Sequence, residues 1–344
     1  MRWENLYIAG LGAYLPEHEV TAEQAVAAGQ YDADRAKANG IRAVRVASHE
    51  ETGPVMAAAA ARQAIARSGH PNEEFGLVLH SGIGHQGQDF WSPAHYVQQE
   101  TVGGDGAAIE YRQGSNGGLA GVELAASYIA SRPDVTAALV TAGDSFKLPY
   151  IDRWNSDDQT VYGDGAGAIV LSGRGGFARI RATASISEPS LEAIYRGADW
   201  TDIPFETGRP ADIHARKGVW LSRQENSYEA AMGRIGEKLA LVLNKALADA
   251  DTKLPDTQWF IHGNIAQPVA EWGFYRPLGL SLSQTTYDWG KGLGHMGGAD
   301  HLISLNHLFE TGRPKAGDLI VAVGVGHGFM WTVAVVEVLE TPSW

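Results

Sequence analysis

Short apolar runs alternate along the chain with longer blocks of helical period. "LYIAGLGAYLP", "FGLVLHSGI", "AAIEYRQ", "TAALVTAGDS" and "AGAIVLSG" read as strands in the first half. "QWFIHGN", "DLIVAVGVG" and "WTVAVVEVL" read as strands in the second. Between them, "PVMAAAAARQAIARSG" predicts an Ala-rich helix closed by Gly69. "YEAAMGRIGEKLALVLNKALADA" predicts a long amphipathic helix, and a further helix is expected near 266–277. The stretch 185–225 is rich in Pro, Gly and charge and reads as an irregular excursion, a lid or cap. Strands that alternate with helices and are apolar throughout predict an α/β fold with buried central strands.

The two halves repeat one pattern. "GSNGGLAGVELAA" in the first matches "GHMGGADHLISL" in the second. Each has a Gly-X-x-Gly-Gly turn, then a helix, then an apolar strand. Before each lies another strand, "GLVLHSGI" or "QWFIHGNI". Such a duplication predicts two βα units about a pseudo-two-fold axis, with Ser115 and His295 at matching helix heads facing one centre.

Composition narrows the chemistry. The chain has 344 residues and no cysteine, so disulfides, thiolate metal sites and a thiolate nucleophile are excluded. The opening "MRWENLYIAG" lacks a basic region followed by a long apolar core, so no signal peptide is expected and a cytoplasmic location is. No apolar run approaches the ~18 residues of a membrane span. A net charge of −13 without a basic stripe argues against nucleic acid as a partner.

Ser115 admits two readings: a helix N-cap, or a nucleophile. The second needs a base, and His295 stands at the equivalent point of the repeat. Asp300, five residues on, is either the carboxylate that orients His295 or an exposed first-turn acid favoured by the helix dipole. His262 and Asn264 end a predicted buried strand, where ligands gather in α/β folds. His327 sits in a glycine turn whose N–H groups suit an oxyanion. His80, His85 and His95 are spaced too widely for a compact metal site and read as lining or packing residues; no metal is expected. "GDGAGA" leads into a strand rather than a helix, so it is no dinucleotide fingerprint. Walker A, HExxH and G-x-S-x-G motifs are absent from the sequence.

Taken together, the chain resembles ketoacyl-ACP synthase III, an enzyme family of the thiolase fold. The resemblance is carried by "IAGLGAYLPEHEVTAEQ", "NGIRAVRVA", "VYGDGAGAIVLS" and "VGHGFMWTVAVV", and runs nearly end to end. It implies a five-layer αβαβα sandwich of duplicated βα halves, 1–174 carrying Ser115 and 175–344 carrying His262, His295 and Asp300. It also implies a homodimer and an acyl-enzyme mechanism. Ser115 stands where the family has a cysteine, and His295 where it has an asparagine. The family's other catalytic histidine falls at or beside His262. "DADRAKA" and "AQPVAEW" replace the residues that grip coenzyme A and dock the carrier protein.

These departures resemble an antibiotic-biosynthesis branch of acyltransferases and starter-unit enzymes, whose triad matches Ser115, His295 and Asp300. The resemblance places Phe90 and Trp91 where the family reaches across the dimer to shape the acyl pocket. It implies an acyltransferase with no permanently bound cofactor. Acyl-CoA or a phosphopantetheinyl carrier protein would be the donor, and a small molecule the acceptor. The alternatives are a priming ketosynthase that condenses a starter with a malonyl carrier, and a non-catalytic acyl-binding partner.

Overall fold

The computed structural model describes residues 1–198, 200, 208–223 and 226–344. In chain order its main elements begin with β1 (Tyr7–Tyr14), α1 (Gly53–Ser68), β2 (Phe75–Ser81) and β3 (Ala107–Tyr111). They continue with α2 (Gly117–Ser131), β4 (Ala137–Asp144), β5 (Gly165–Ser172) and β6 (Ala178–Ser187). The remainder are α3 (Tyr228–Asp249), β7 (Trp259–Ile261), α4 (Asp300–Glu310), β8 (Leu319–Gly326) and β9 (Met330–Val338).

The strands follow the order β3-β2-β4-β5-β1-β6-β9-β8-β7. This is one motif used twice. In the first half β2 and β4 are parallel, and β5 and β1 follow antiparallel. In the second, β7 and β8 are parallel, and β9 and β6 follow antiparallel. The two half-sheets meet where Tyr7 and Ile8 pair with Arg179 and Ala178. α1 packs on β1, β5 and β4 from one outer side, and α3 on β6 and β9 from the other. α2 touches β4 and β2 as well as β8 and β9, so it lies between the half-sheets, beside α4. The order is α1, first half-sheet, α2 with α4, second half-sheet, α3: the five layers that the resemblance implies.

Burial explains the strand sequences. β4 and β5 are buried along their whole length and are built largely from Ala, Val, Leu, Ile and Gly. Helices on both faces leave no place for the polar alternation of a half-exposed strand. α1 can lie close to β1 because Gly10 and Gly12 have no side chain: a Cβ on either would stand about 2 Å from the carbonyl oxygens of Ala64 and Ala60. "GDGAGA" is a structural clamp. Asp164 accepts the N–H groups of Phe146 (2.7 Å) and Ala47 (2.8 Å) and pairs with Arg153 at 2.9 Å.

The excursion at 185–225 departs from the expectation. Short helices form at Ala193–Arg196 and Ile213–Leu221. In the second, Asp212 caps the first turn by accepting the Ala215 N–H, and Ile213 and Trp220 are buried. With so few residues, and Gly218 among them, no helical period shows in the sequence. Residues 199, 201–207, 224 and 225 of this stretch lie outside the described residues. The helix expected near 266–277 forms, but through a π-turn at Glu271–Tyr275. Among the described residues, no helix is long and apolar enough to cross a membrane.

The heads of α2 and α4 touch through glycines. A Cβ on Gly118 would lie 2.4 Å from the carbonyl oxygen of Gly298, a backbone atom that cannot give way without moving the seam. Gly118→Ala is therefore expected to lower stability by about 1–3 kcal/mol. Urea unfolding of the variant beside the parent measures it; an unchanged midpoint would mean that the seam is loose.

Candidate active site

Ser115 lies in a single 3-10 turn, Gly114–Asn116, at the head of α2. Gly114 has φ +55°, and a Cβ there would stand 2.6 Å from His327 Nδ1. Only glycine fits this turn. The turn directs the serine hydroxyl away from its own helix, and among the described residues no side chain caps α2. Instead Ser115 Oγ meets His295 Nε2 at 2.6 Å. The N-cap reading of Ser115 is thus replaced by a contact with the other half of the chain.

His295 occupies the equivalent turn before α4. Its backbone is tied to the segment preceding β5: the His295 N–H donates to Val161, and the Gly163 N–H donates back to His295. Gly294, at φ +78°, makes this approach possible. The ring reaches Asp300 with Nδ1 at 2.6 Å from Oδ2. Asp300 is the first residue of α4 and has no exposed surface, which rules out the reading of an exposed first-turn acid. Its carboxylate also accepts the N–H of Asn264 at 2.6 Å and of Met296 at 2.8 Å. An ionised carboxylate only accepts, so Nδ1 carries the proton and Nε2 is left to accept from the serine.

The electrostatics follow from this packing. Burial by itself would lower the His295 pKa. The charges of Asp300, Asp144 and Asp157 and the hydrogen bond to Asp300 outweigh it, and the pKa is raised above the ordinary 6.5. Burial would likewise raise Asp300, but the imidazole and the two backbone N–H donors hold it below the usual carboxylate value. The result is an ionised carboxylate orienting a basic imidazole that touches a hydroxyl.

The other sequence-predicted residues fall in three places. Asn264 is brought in: besides its backbone bond to Asp300, its side chain donates to the Gly294 carbonyl at 3.2 Å. It positions the acid rather than facing Ser115. His327 is also close, since its backbone nitrogen and ring lie against Gly114, and its ring stacks on Tyr195 at 5.4 Å. His262 is not part of the constellation. Its Nδ1–H donates to Gly263 (2.8 Å), its Nε2 accepts from Tyr275 (2.9 Å), and Phe274 stacks on the ring. Burial drives its pKa down to about 4, so it is a neutral ring with both nitrogens occupied.

Phe90 and Trp91 lie at the surface, and Phe90 is fully exposed with φ +57°. Of the remaining histidines, His80 bonds Thr141 and Gln86 inside the core, and His95 bonds Ser92 on the surface. Among the described residues no group of His, Cys, Asp and Glu is placed to hold a metal.

Tyr162 and Asp144 are among the site residues that escape the sequence reading. Tyr162 packs against the His295 ring at 5.9 Å, and Asp144 lends it charge. Both sit beside strand termini, and the one signal in the sequence is a carboxylate closing the apolar run "AALVTAGD".

With its pKa raised, the His295 imidazole should titrate by NMR above 6.5. Asp300→Asn removes the largest favourable charge and should move the midpoint down, because burial then weighs more heavily. An unmoved midpoint would contradict the coupling.

The chain also matches known proteins. Residues 109–189 match the family "3-Oxoacyl-[acyl-carrier-protein (ACP)] synthase III", and residues 247–338 match the C-terminal region of the same family. A beta-ketoacyl-[acyl-carrier-protein] synthase III of Rhizorhabdus wittichii is 27% identical over 96% of this chain and 98% of its own length. The structure of ChlB3, an acyltransferase, is 36% identical, covers 99% of this chain and 100% of its own, and superposes with a TM-score of 0.92. The synthase III of Aquifex aeolicus shares the fold at 22% identity, covering 96% of this chain and 99% of its own with a TM-score of 0.77. By its end-to-end similarity and matching fold, the chain belongs to the ketoacyl-ACP synthase III family of the thiolase superfamily.

Proposed function

We propose that this protein is an acyltransferase of polyketide-type secondary metabolism, working through an acyl-Ser115 intermediate. The observation that carries the reading is the unbroken chain Ser115–His295–Asp300, with both links at 2.6 Å. The similarity to ChlB3, an acyltransferase, supports the same reading.

The donor is the thioester of acyl-CoA or of an acyl carrier protein. His295 Nε2 takes the Ser115 proton as Oγ attacks the thioester carbonyl. Two backbone N–H groups suit the oxyanion: that of Ser115 itself, and that of His327 across Gly114. The C–S bond breaks, and the thiol leaves with the proton from His295. A hydroxyl, amine or second carrier thiol then gives its proton to His295 and attacks the acyl-serine. The serine oxygen leaves and recovers that proton. Asp300 stays ionised throughout and stabilises the imidazolium.

The state of His262 favours transfer over condensation. Decarboxylative condensation needs donors for a developing enolate, and the pair at this site is an acid–base couple instead. His262 has no free N–H, because its one proton is given to Gly263 and Tyr275 covers the other nitrogen. A homodimer is part of the proposal. β3 is an edge strand with Ile109 exposed, and Phe90, Trp91 and Leu148 are exposed as well. An open edge strand together with exposed apolar side chains suits pairing with a second copy. A division into halves at 174/175 falls in the turn between β5 and β6.

The test is intact mass after incubation with a panel of acyl thioesters. The expected result is a gain of one acyl group, absent in Ser115→Ala and formed about 10³-fold or more slowly in His295→Ala. The acylation rate should rise with pH through the His295 midpoint, since only the neutral ring accepts the proton. Adducts with Ser115→Cys but none with the parent would count against an acyl-serine.

A further inference from the structure

Asp144 is the last residue of β4 and has no exposed surface. Its two oxygens are used very differently. Oδ1 accepts three hydrogen bonds, from the backbone of Ile83 and Gly84 at 2.8 Å each and from Gln86 Nε2 at 3.0 Å. Oδ2 accepts none. It points at the turn that carries His295: a Cβ on Gly297 would stand 2.7 Å from it. Gly297 has φ +62°, so glycine is required there twice over. A buried carboxylate oxygen without a donor is costly, and the cost is relieved by taking up a proton or by positive charge nearby.

The charged and titratable surroundings are specific. Arg112, just after β3, and His295 favour the ionised form of Asp144, and Tyr150 feels its charge from the loop after β4. On the side of His295 stand the carboxylates of Asp300, Asp144 and Asp157. The imidazoles of His301 and His327 and the ring of Tyr162 also stand near it. Burial holds Asp144 near the balance point, up to about 7.

We propose that Asp144 is a positioning residue with two tasks. Through Oδ1 it fastens the loop 83–86 to the catalytic floor. Through Oδ2 it places a second negative charge beside the His295 turn, which stabilises the imidazolium formed when Ser115 gives up its proton. The loop runs on to Phe90 and Trp91, so one carboxylate ties the base to the segment proposed to shape the acyl pocket. This rests on His295 being the base of the proposed transfer.

Two substitutions test it on the full chain, with readouts that do not need turnover. Asp144→Asn keeps an oxygen for the three donors and removes the charge. The His295 imidazole, identified by the resonance lost in His295→Gln, should then titrate about half a unit or more lower. The amides of Ile83 and Gly84 should keep their protection from hydrogen exchange. Asp144→Ala removes the acceptor, and exchange at those two amides should quicken about tenfold or more. A His295 midpoint unchanged in Asp144→Asn overturns the electrostatic task. Ile83 and Gly84 amides still protected in Asp144→Ala overturn the fastening task. If the alanine variant does not fold, the asparagine variant decides the electrostatic task, and Ile83 and Gly84 amides that exchange without protection in the parent overturn the fastening task. Lack of acyl-enzyme in the parent would sink the proposed function and leave both readouts standing.

Discussion

The site depends on the close approach of two helix heads. α2 and α4 belong to different halves of a duplicated chain, and they meet end to end where Gly117 and Gly118 face Gly298. No side chain fits between them. This contact sets a serine from one half against a histidine from the other, 180 positions later. Packed small residues in a buried seam make a rigid reference, and catalytic geometry needs one. The glycines at 114, 294 and 297 supply the left-handed turns that aim the two side chains inward.

Onto this seam the chain fastens charge. Asp300 has four donors around it: the His295 ring, the backbone of Asn264 and Met296, and the Asn264 amide at 3.4 Å. A carboxylate so surrounded stays ionised when buried, and it holds the proton of His295 on Nδ1. His262 shows the opposite treatment. Set among Phe260, Phe274, Tyr275 and Tyr287, it is kept neutral and fully bonded. The two histidines thus have opposite characters, one poised to exchange a proton and one sealed. That contrast follows from their neighbours alone.

Much of this arrangement is legible in the amino-acid sequence. The repeated Gly-X-x-Gly-Gly turn reveals the duplication and places Ser115 opposite His295, because glycine spacing and strand periodicity are local properties. The strands β4, β5, β8 and β9 are equally plain. Asp300 is visible as a candidate only: its spacing of five from His295 spans a 3-10 turn at Gly297–Ala299, a geometry that helix rules do not describe. The role of His262 is not legible. Whether it faces the serine or an aromatic box depends on Phe274 and Tyr275, which lie in a π-turn that no pattern announces. Asp144 is hidden for a similar reason, since its partners at 83–86 and Gly297 are distant in sequence. The helix Ile213–Leu221 leaves no periodic trace because it is short and contains a glycine.

An acid–base couple at Ser115, paired with a sealed His262, suits a site that transfers acyl groups and does not condense them. The most direct measurement follows carboxyl-labelled malonyl thioester and an acyl donor together, in the presence of hydroxyl, amine and thiol acceptors. Acyl transfer predicts acylated acceptor with no labelled carbon dioxide above the level of the Ser115→Ala protein. Carbon dioxide released in step with a new carbon–carbon product would contradict it, and more so if that release were lost in His262→Ala.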